Sequence, residues 1–596
     1  MPSPNRELRP VKKCFHPART RLNNTPMAVP TSSAGREWWN KIFRWFALHP
    51  YWTLTLAVCA VLAPFLTKPF NLDDPLFIWV AQQIYLHPAD PYGFDVNWAQ
   101  TVFPLWNVTD NPPLACYYLA LGAGFFGWSE IGLHLAFLLP ALAVTWGTYR
   151  LARHFCDRPM LAALAALFTP VFLVSSLTVM CDMLMLAFWV WAVVWWVEGL
   201  EGDDFGRLAG SGLFMALASL TKYYGMCLIP LLGAYGLLSK GRPGRWMIYL
   251  LVPVATLWVY QAATRLLYDH NLLFRAAEFT SFVKGFYGYS PVAAVLVALA
   301  FTGGCAAVAV VFTPLLWRTP ALVLLGALTA LVASICLATG AMSHLAGAAR
   351  WTSPVSVKLQ IILWAAGGIC VLALAITDVF YRRDARSCLL ALWVVGTFSF
   401  AAFFNWTING RTILPVVPAM GILLVRRLGR NFPAGHRAWS WGVLPCLIAS
   451  AVLALLVARA DFLQAEAVRQ NAREICAQYR SGRSTVWFQG HWGFQYYMEK
   501  LGASALDLAN PALKAGDTLA VPLNNTTLRS PKIKLGNLTP AGVITAPKSR
   551  FLATMDQTAG AGFYAANLGP LPFAFGHVPP ESVVVYAPWP ASSPNK

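Results

Sequence analysis

From about residue 50 to about residue 460, apolar runs alternate with short polar turns in which Lys and Arg dominate. Runs long enough to cover the ~30 Å hydrocarbon layer at 1.5 Å per residue predict membrane-spanning helices. The first covers about 51–67 and ends at Lys68. A loop of about 45 residues follows and closes at Asn111-Pro112-Pro113. Leu114 to Phe126 is apolar but only about 13 residues long, too short to cross, so it reads as a re-entrant or interfacial helix. Were it to cross, the next run, 131–149, would place Arg150, Arg153 and Arg158 on the wrong side.

With that helix kept on one side, the later runs fall into register. A hairpin over about 160–197 turns near Thr178 to Asp182, and another over 208–238 turns at Thr221-Lys222-Tyr223-Tyr224. Further basic turns stand at Lys240 to Arg245, Trp317-Arg318, Tyr381 to Arg386 and Arg426 to Arg430. The total is about thirteen spans, the last over 441–458.

The ends differ in character. Residues 1–35 are rich in Pro, Ser and Asn and carry six basic side chains from Arg6 to Arg21, which predicts a disordered cytoplasmic tail rather than a signal peptide. Trp38, Trp39, Ile42, Phe43 and Phe46 then follow helical spacing for a helix in the headgroup layer, opening a membrane domain over 36–459 whose first outer loop is 68–130. Residues 460–596 predict a soluble α/β domain outside the cytoplasm, with strands at 484–489 and 517–523 and a helix over 491–501 between them. The aromatic stretch from Gly490 to Tyr497 reads as packing on the sheet or the membrane surface, or as an acceptor-binding face.

Composition agrees with the pattern. At 57% hydrophobic and 12% charged residues the chain is too apolar for a soluble protein. The net charge of +19 sits in the turns between spans, so it records topology and not nucleic-acid binding. The twelve cysteines lack C-x-x-C spacing and the histidines lack ligand spacing, so no metal site and no cofactor is expected.

Candidate chemistry lies in the first outer loop, at Asn71-Leu72-Asp73-Asp74-Pro75. Asp before Pro is a favoured helix N-cap, which predicts that Asp74 caps a helix over 75–86, at the edge of a substrate site to which it also contributes, and leaves Asp73 free to act as a base. Adjacent carboxylates do not share a helix face, so they are not an acid/base dyad. One base suffices where a sugar leaves a lipid phosphate, because the phosphate is already a good leaving group and only the acceptor hydroxyl needs deprotonation. Cations for that phosphate are Lys222, Arg265, Arg275, Lys284, Arg350 and Arg411. Lys222 lies between apolar runs, where a central charge costs ~2.5 to 3.5 kcal/mol, so it either serves the site or snorkels to the interface. Asp182 either orients a sugar hydroxyl, pairs with Lys222 or faces water, and Asn111 touches substrate in this reading.

The Asp73-Asp74 pair, Asp90-Pro91-Tyr92-Gly93-Phe94, Asn111-Pro112-Pro113-Leu114, the Asp182 helix, Leu220-Thr221-Lys222 and Arg411-Thr412-Ile413-Leu414-Pro415 together resemble GT-C glycosyltransferases. Within these, the likeness is to bacterial relatives of protein O-mannosyltransferases and lipid A aminoarabinose transferases, over about residues 50–430. The resemblance implies a polyprenyl-phosphate sugar donor, an inverting mechanism, a site facing the periplasm from the inner membrane, and Asp73 as base. Asp74, Asn111 and Thr412 depart from the common Glu, His and aromatic residue, which leaves the sugar and the acceptor, whether lipid, polysaccharide or protein, open. The rival reading is a transporter or flippase of lipid-linked sugars; these place binding groups near the midplane of repeated halves, and no repeat is visible here.

Overall fold

The computed structural model describes residues 45–46, 48–109, 111–287, 290–338, 355–433, 436, 439–480, 484–514, 516–525, 528 and 539–586. The N-terminal tail, most of the 36–46 segment and Arg350 lie outside them. Among the described residues, six helices are long and apolar enough to cross a membrane: Glu130–Phe155, Cys181–Gly202, Arg245–Tyr268, Val355–Arg382, Ala385–Phe404 and Trp441–Tyr479. Pro159–Leu167 and Pro170–Ser176 add one bent pair, and four shorter apolar helices include Pro50–Phe65 and Leu114–Phe126. The chain is an integral membrane protein. Among the described residues the total of about thirteen is not confirmed by length and composition, since several runs fold as helices of 13 to 17 residues, such as Leu228–Lys240 and Phe205–Thr221.

Local sequence explains the breaks. Thr169 caps the second half of the bent pair, with Pro170 at its first turn, so the chain turns by 65° where Thr169-Pro170 cannot continue the preceding hydrogen-bond ladder. The predicted hairpin corner follows at 177–180, before Cys181. Turns predicted on one side gather into one ion-pair network: Arg150 grips Glu198 through two hydrogen bonds of 2.7 and 2.8 Å, and Arg207 and Arg386 reach Glu198 and Glu201.

The last helix, Leu444–Tyr479, runs unbroken for 36 residues, about 54 Å, nearly twice the hydrocarbon thickness. It therefore carries the chain from apolar surroundings directly into the C-terminal α/β region. There a mixed five-stranded sheet has the spatial order Ser504–Ala505, Val486–Phe488, Thr518–Pro522, Glu581–Tyr586, Pro540–Ala546. The first three strands are parallel and the last two pair antiparallel. Glu581–Tyr586 alternates buried and half-buried side chains, the period-two pattern of a strand packed on one face. Pro540 opens the edge strand, where its missing N–H costs no ladder bond.

The aromatic helix Trp492–Lys500 buries its middle. Phe494 meets Phe488 of the sheet, Tyr496 meets Phe70 of the first loop, and the Tyr497 hydroxyl accepts the Phe70 N–H at 3.0 Å and donates to Glu130. Gly493 lies so close to that loop that a Cβ would stand 2.4 Å from the Phe70 carbonyl. Packing, not an open acceptor face, accounts for these aromatic side chains.

Candidate active site

Asp73, Asp182, Lys222 and Arg411 come from four separate segments and meet. Asp73 occupies the residue before the helix Asp74–Leu86, Asp182 the first turn of Cys181–Gly202, Lys222 the end of Phe205–Thr221, and Arg411 the short helix Gly410–Ile413. Asn409 caps that short helix by accepting the Thr412 N–H at 2.8 Å, which fixes the direction in which Arg411 leaves the backbone.

The charges alternate. Arg411 Nη2 donates to Asp73 Oδ2 at 3.0 Å, its Nη1 lies 3.8 Å from Asp182 Oδ2, and Lys222 Nζ donates to Asp182 Oδ1 at 2.6 Å. Exposure ranks them: the Asp73 side chain is 30% exposed, Lys222 20%, Arg411 13% and Asp182 0%. The open side therefore presents the Asp73 carboxylate with the rims of two cations, while Asp182 holds those cations from beneath. Burial works against the Arg411 charge, but Asp73 and Asp182 outweigh it and hold the guanidinium above its ordinary range. The Arg411 Nε has no hydrogen-bond partner among the described residues.

Asp74 differs from the expected N-cap. The helix begins at Asp74 itself, Asp73 stands in the cap position, and Asp73 makes no side-chain cap bond. The Asp74 carboxylate is fully buried and accepts the N–H of Asn71 at 3.0 Å and of Val179 at 2.9 Å. It thus ties the first loop to the corner before Cys181, and its place is in the packing, not on the open side. Burial pushes its pKa up to about 6. Leu72, two residues earlier, is held at φ +52°, a left-handed conformation that costs a non-glycine residue of order 1–3 kcal/mol beside Asp73.

Asn111 stands near by: its side-chain oxygen lies 3.8 Å from the Cys181 thiol and its carbonyl accepts the Tyr92 hydroxyl at 2.7 Å. The motif around Tyr92 is a clasp, since Tyr268 donates to Asp90 at 2.7 Å and a Cβ on Gly93 would overlap the Asp90 carboxylate. Arg275 instead turns to Asn107 and lies over the Trp106 ring, and the four-residue cluster is formed without it.

Sequence reasoning missed a second layer. Lys68, read only as the end of a span, pairs with Asp461 at 2.5 Å with both side chains buried. Asp461 also accepts Thr554 and Tyr564 hydroxyls, each at 3.0 Å. A carboxylate three residues past the apolar run 441–458 was the available signal.

Residues 110–268 match the family model described as dolichyl-phosphate-mannose-protein mannosyltransferase. Over that segment the chain resembles the protein mannosyltransferases. The matched part contains Asn111, Asp182 and Lys222. Among solved structures, the chain is similar to ArnT from Cupriavidus metallidurans, bound to undecaprenyl phosphate, at 13% identity and a TM-score of 0.47, with 84% of this chain and 96% of that one covered. It is also similar to the archaeal oligosaccharyltransferase AglB from Archaeoglobus fulgidus, in complex with an inhibitory peptide and a dolichol phosphate, at 14% identity and a TM-score of 0.43, covering 78% and 65%. A third is the arabinofuranosyltransferase AftD from Mycobacteria, at 13% identity and a TM-score of 0.38, covering 92% and 40%. No curated protein sequence matches the chain.

Proposed function

We propose that the protein is a glycosyltransferase that moves a sugar from a polyprenyl-phosphate donor to a cell-envelope acceptor on the extracytoplasmic face of the inner membrane, with inversion. The observation that carries this reading is the Asp73 carboxylate at the open side, 3.0 Å from Arg411 and in one cluster with Lys222. Asp73 takes the proton of an acceptor hydroxyl as that oxygen bonds to the anomeric carbon from the face opposite the phosphate. The bond from the anomeric carbon to the phosphate oxygen breaks and its electron pair leaves with the phosphate. Arg411 and Lys222 stabilise that charge, and Asp182, inaccessible beneath them, keeps both cations in place. The match of residues 110–268 to a mannosyltransferase family model supports the class of donor. Asn111, whose side-chain oxygen lies 3.8 Å from the Cys181 thiol beside Asp182, is assigned to the sugar.

The test is turnover by the purified full chain in proteoliposomes supplied with polyprenyl-phosphate hexoses and pentoses. Mass spectrometry of envelope lipids, polysaccharides and proteins from cells with and without the gene identifies the acceptor. Transfer that persists in Asp73→Asn overturns the assignment of the base. Movement of the intact donor across the bilayer without hydrolysis or transfer would replace the enzyme reading with a flippase.

A further inference from the structure

Arg411 and the segment that leads to Asp73 both meet residues beyond position 460. On the Arg411 side, the Gly410 N–H donates to the Phe563 carbonyl at 2.7 Å and the Ala566 N–H to the Ile408 carbonyl at 2.9 Å. The approach is so close that a Cβ on Gly410 would stand 2.7 Å from the Phe563 ring. The ring of the next residue, Tyr564, has its centroid 5.8 Å from the Arg411 guanidinium carbon, within cation–π range. On the Asp73 side, Lys68 lies at the head of the segment 68–73 and is anchored by Asp461. Asp461 takes the Tyr564 hydroxyl on the same oxygen that meets Lys68.

Tyr564 is therefore the one described residue that touches Arg411 with its ring and the Lys68–Asp461 anchor with its hydroxyl. A buried ion pair of this kind is rigid, because releasing either charge leaves the other unpaired in a dry site. Burial, with Asp461 and Asp74 near by, pushes the Tyr564 hydroxyl well above its usual range, so it remains a donor. With no partner on its Nε, the guanidinium is oriented by Asp73, by Asp182, by the Met180 sulfur, which accepts from Nη1 at 2.8 Å, and by this ring.

We infer that Tyr564 is a positioning residue for Arg411, its ring holding in place the cation that meets the leaving phosphate. The inference rests on the transferase reading for its catalytic consequence, and on geometry alone for the placement of Arg411. Misplacing a group of this kind by about 1 Å costs roughly a hundred-fold in rate, and losing only the ring contact about ten-fold.

Two measurements on the full chain test it. The first is modification of Arg411 by phenylglyoxal, followed on its peptide by mass spectrometry. Tyr564→Leu should speed that modification about five-fold, while Tyr564→Phe, which keeps the ring, should stay within about two-fold of wild type. Equal rates in wild type and Tyr564→Leu overturn the inference, as does a larger effect of Tyr564→Phe. The second is sugar transfer, where Tyr564→Leu should lower kcat about ten-fold and lower it little further in an Arg411→Lys background, because the two changes act through one group. Losses that multiply in full point to a merely structural role and overturn the inference. Should Tyr564→Leu not fold, Tyr564→Met, whose unbranched side chain adapts to irregular space, carries the same expectations. If the wild type transfers no sugar, the transferase reading falls, and the modification rates still decide whether Tyr564 places Arg411.

Discussion

Replacing Asp74 with asparagine separates the buried carboxylate from its neighbour Asp73 and has a sign that can be worked out. The folded pKa of about 6 lies above the ordinary 3.8 because the site is dry. A carboxyl raised on folding binds its proton more readily in the folded chain, so stability is gained as pH falls through about 6 toward 3.8 and lost as pH rises through that same window. The full rise is worth ~3 kcal/mol, of which about 1.4 kcal/mol is realised between pH 8 and pH 5. Asparagine keeps the shape but offers one acceptor to the two N–H groups of Asn71 and Val179, which costs ~1–3 kcal/mol, while it sheds the buried charge. At pH 8 these terms nearly offset, and Asp74→Asn should unfold within ~2 kcal/mol of wild type. At pH 5 the wild-type carboxyl is mostly protonated and carries no such penalty, so wild type should gain about 1.4 kcal/mol relative to the variant. Equilibrium unfolding in mixed micelles at pH 5, 6, 7 and 8 reads this directly, since other titrating groups are common to both proteins and cancel. A difference that stays flat, or narrows toward pH 5, refutes the account of Asp74.

Other substitutions follow from the same geometry. Asp73→Asn should lower sugar transfer by roughly a thousand-fold or more in proteoliposomes while leaving the unfolding midpoint near wild type, since that side chain is the most exposed of the four. Lys222→Ala should raise the donor KM and also destabilise by ~3–5 kcal/mol, because it strips the 2.6 Å partner from fully buried Asp182; Lys222→Arg should recover most of the stability, and an equal loss in both variants would contradict this. Gly410→Ala should cost ~1–3 kcal/mol and lower kcat more than it raises KM, because the added methyl pushes the Arg411 segment off Phe563; unchanged kinetics would show that the close approach is tolerated. Lys548→Met leaves the buried Asp556 and Glu581 without their cation in the C-terminal region and should destabilise by ~3–5 kcal/mol in the same unfolding assay.

What the sequence determined by itself was local or periodic. Apolar runs and basic turns marked the membrane body, and the 13-residue helix Leu114–Phe126 and the helix and strands after residue 484 stand where period and turn chemistry put them. Asp73, Asp182, Lys222 and Arg411 stood among the sequence candidates because charges at membrane turns are costly and few; these four meet, whereas Arg275, a candidate on the same ground, turns to Asn107. Tertiary structure decided which charge meets which. Asp73 and Arg411 are 338 positions apart, and no local pattern distinguishes a carboxylate that will face the open side from one that will be buried under Val179. The same holds for Lys68 and Asp461, 393 positions apart, whose meaning appears only when the long last helix places Asp461 against the first loop and Tyr564 against Arg411. The reason is physical: helix periodicity and hydropathy are set by neighbours along the chain, whereas burial and pairing of a charge depend on segments that only the packed fold brings together.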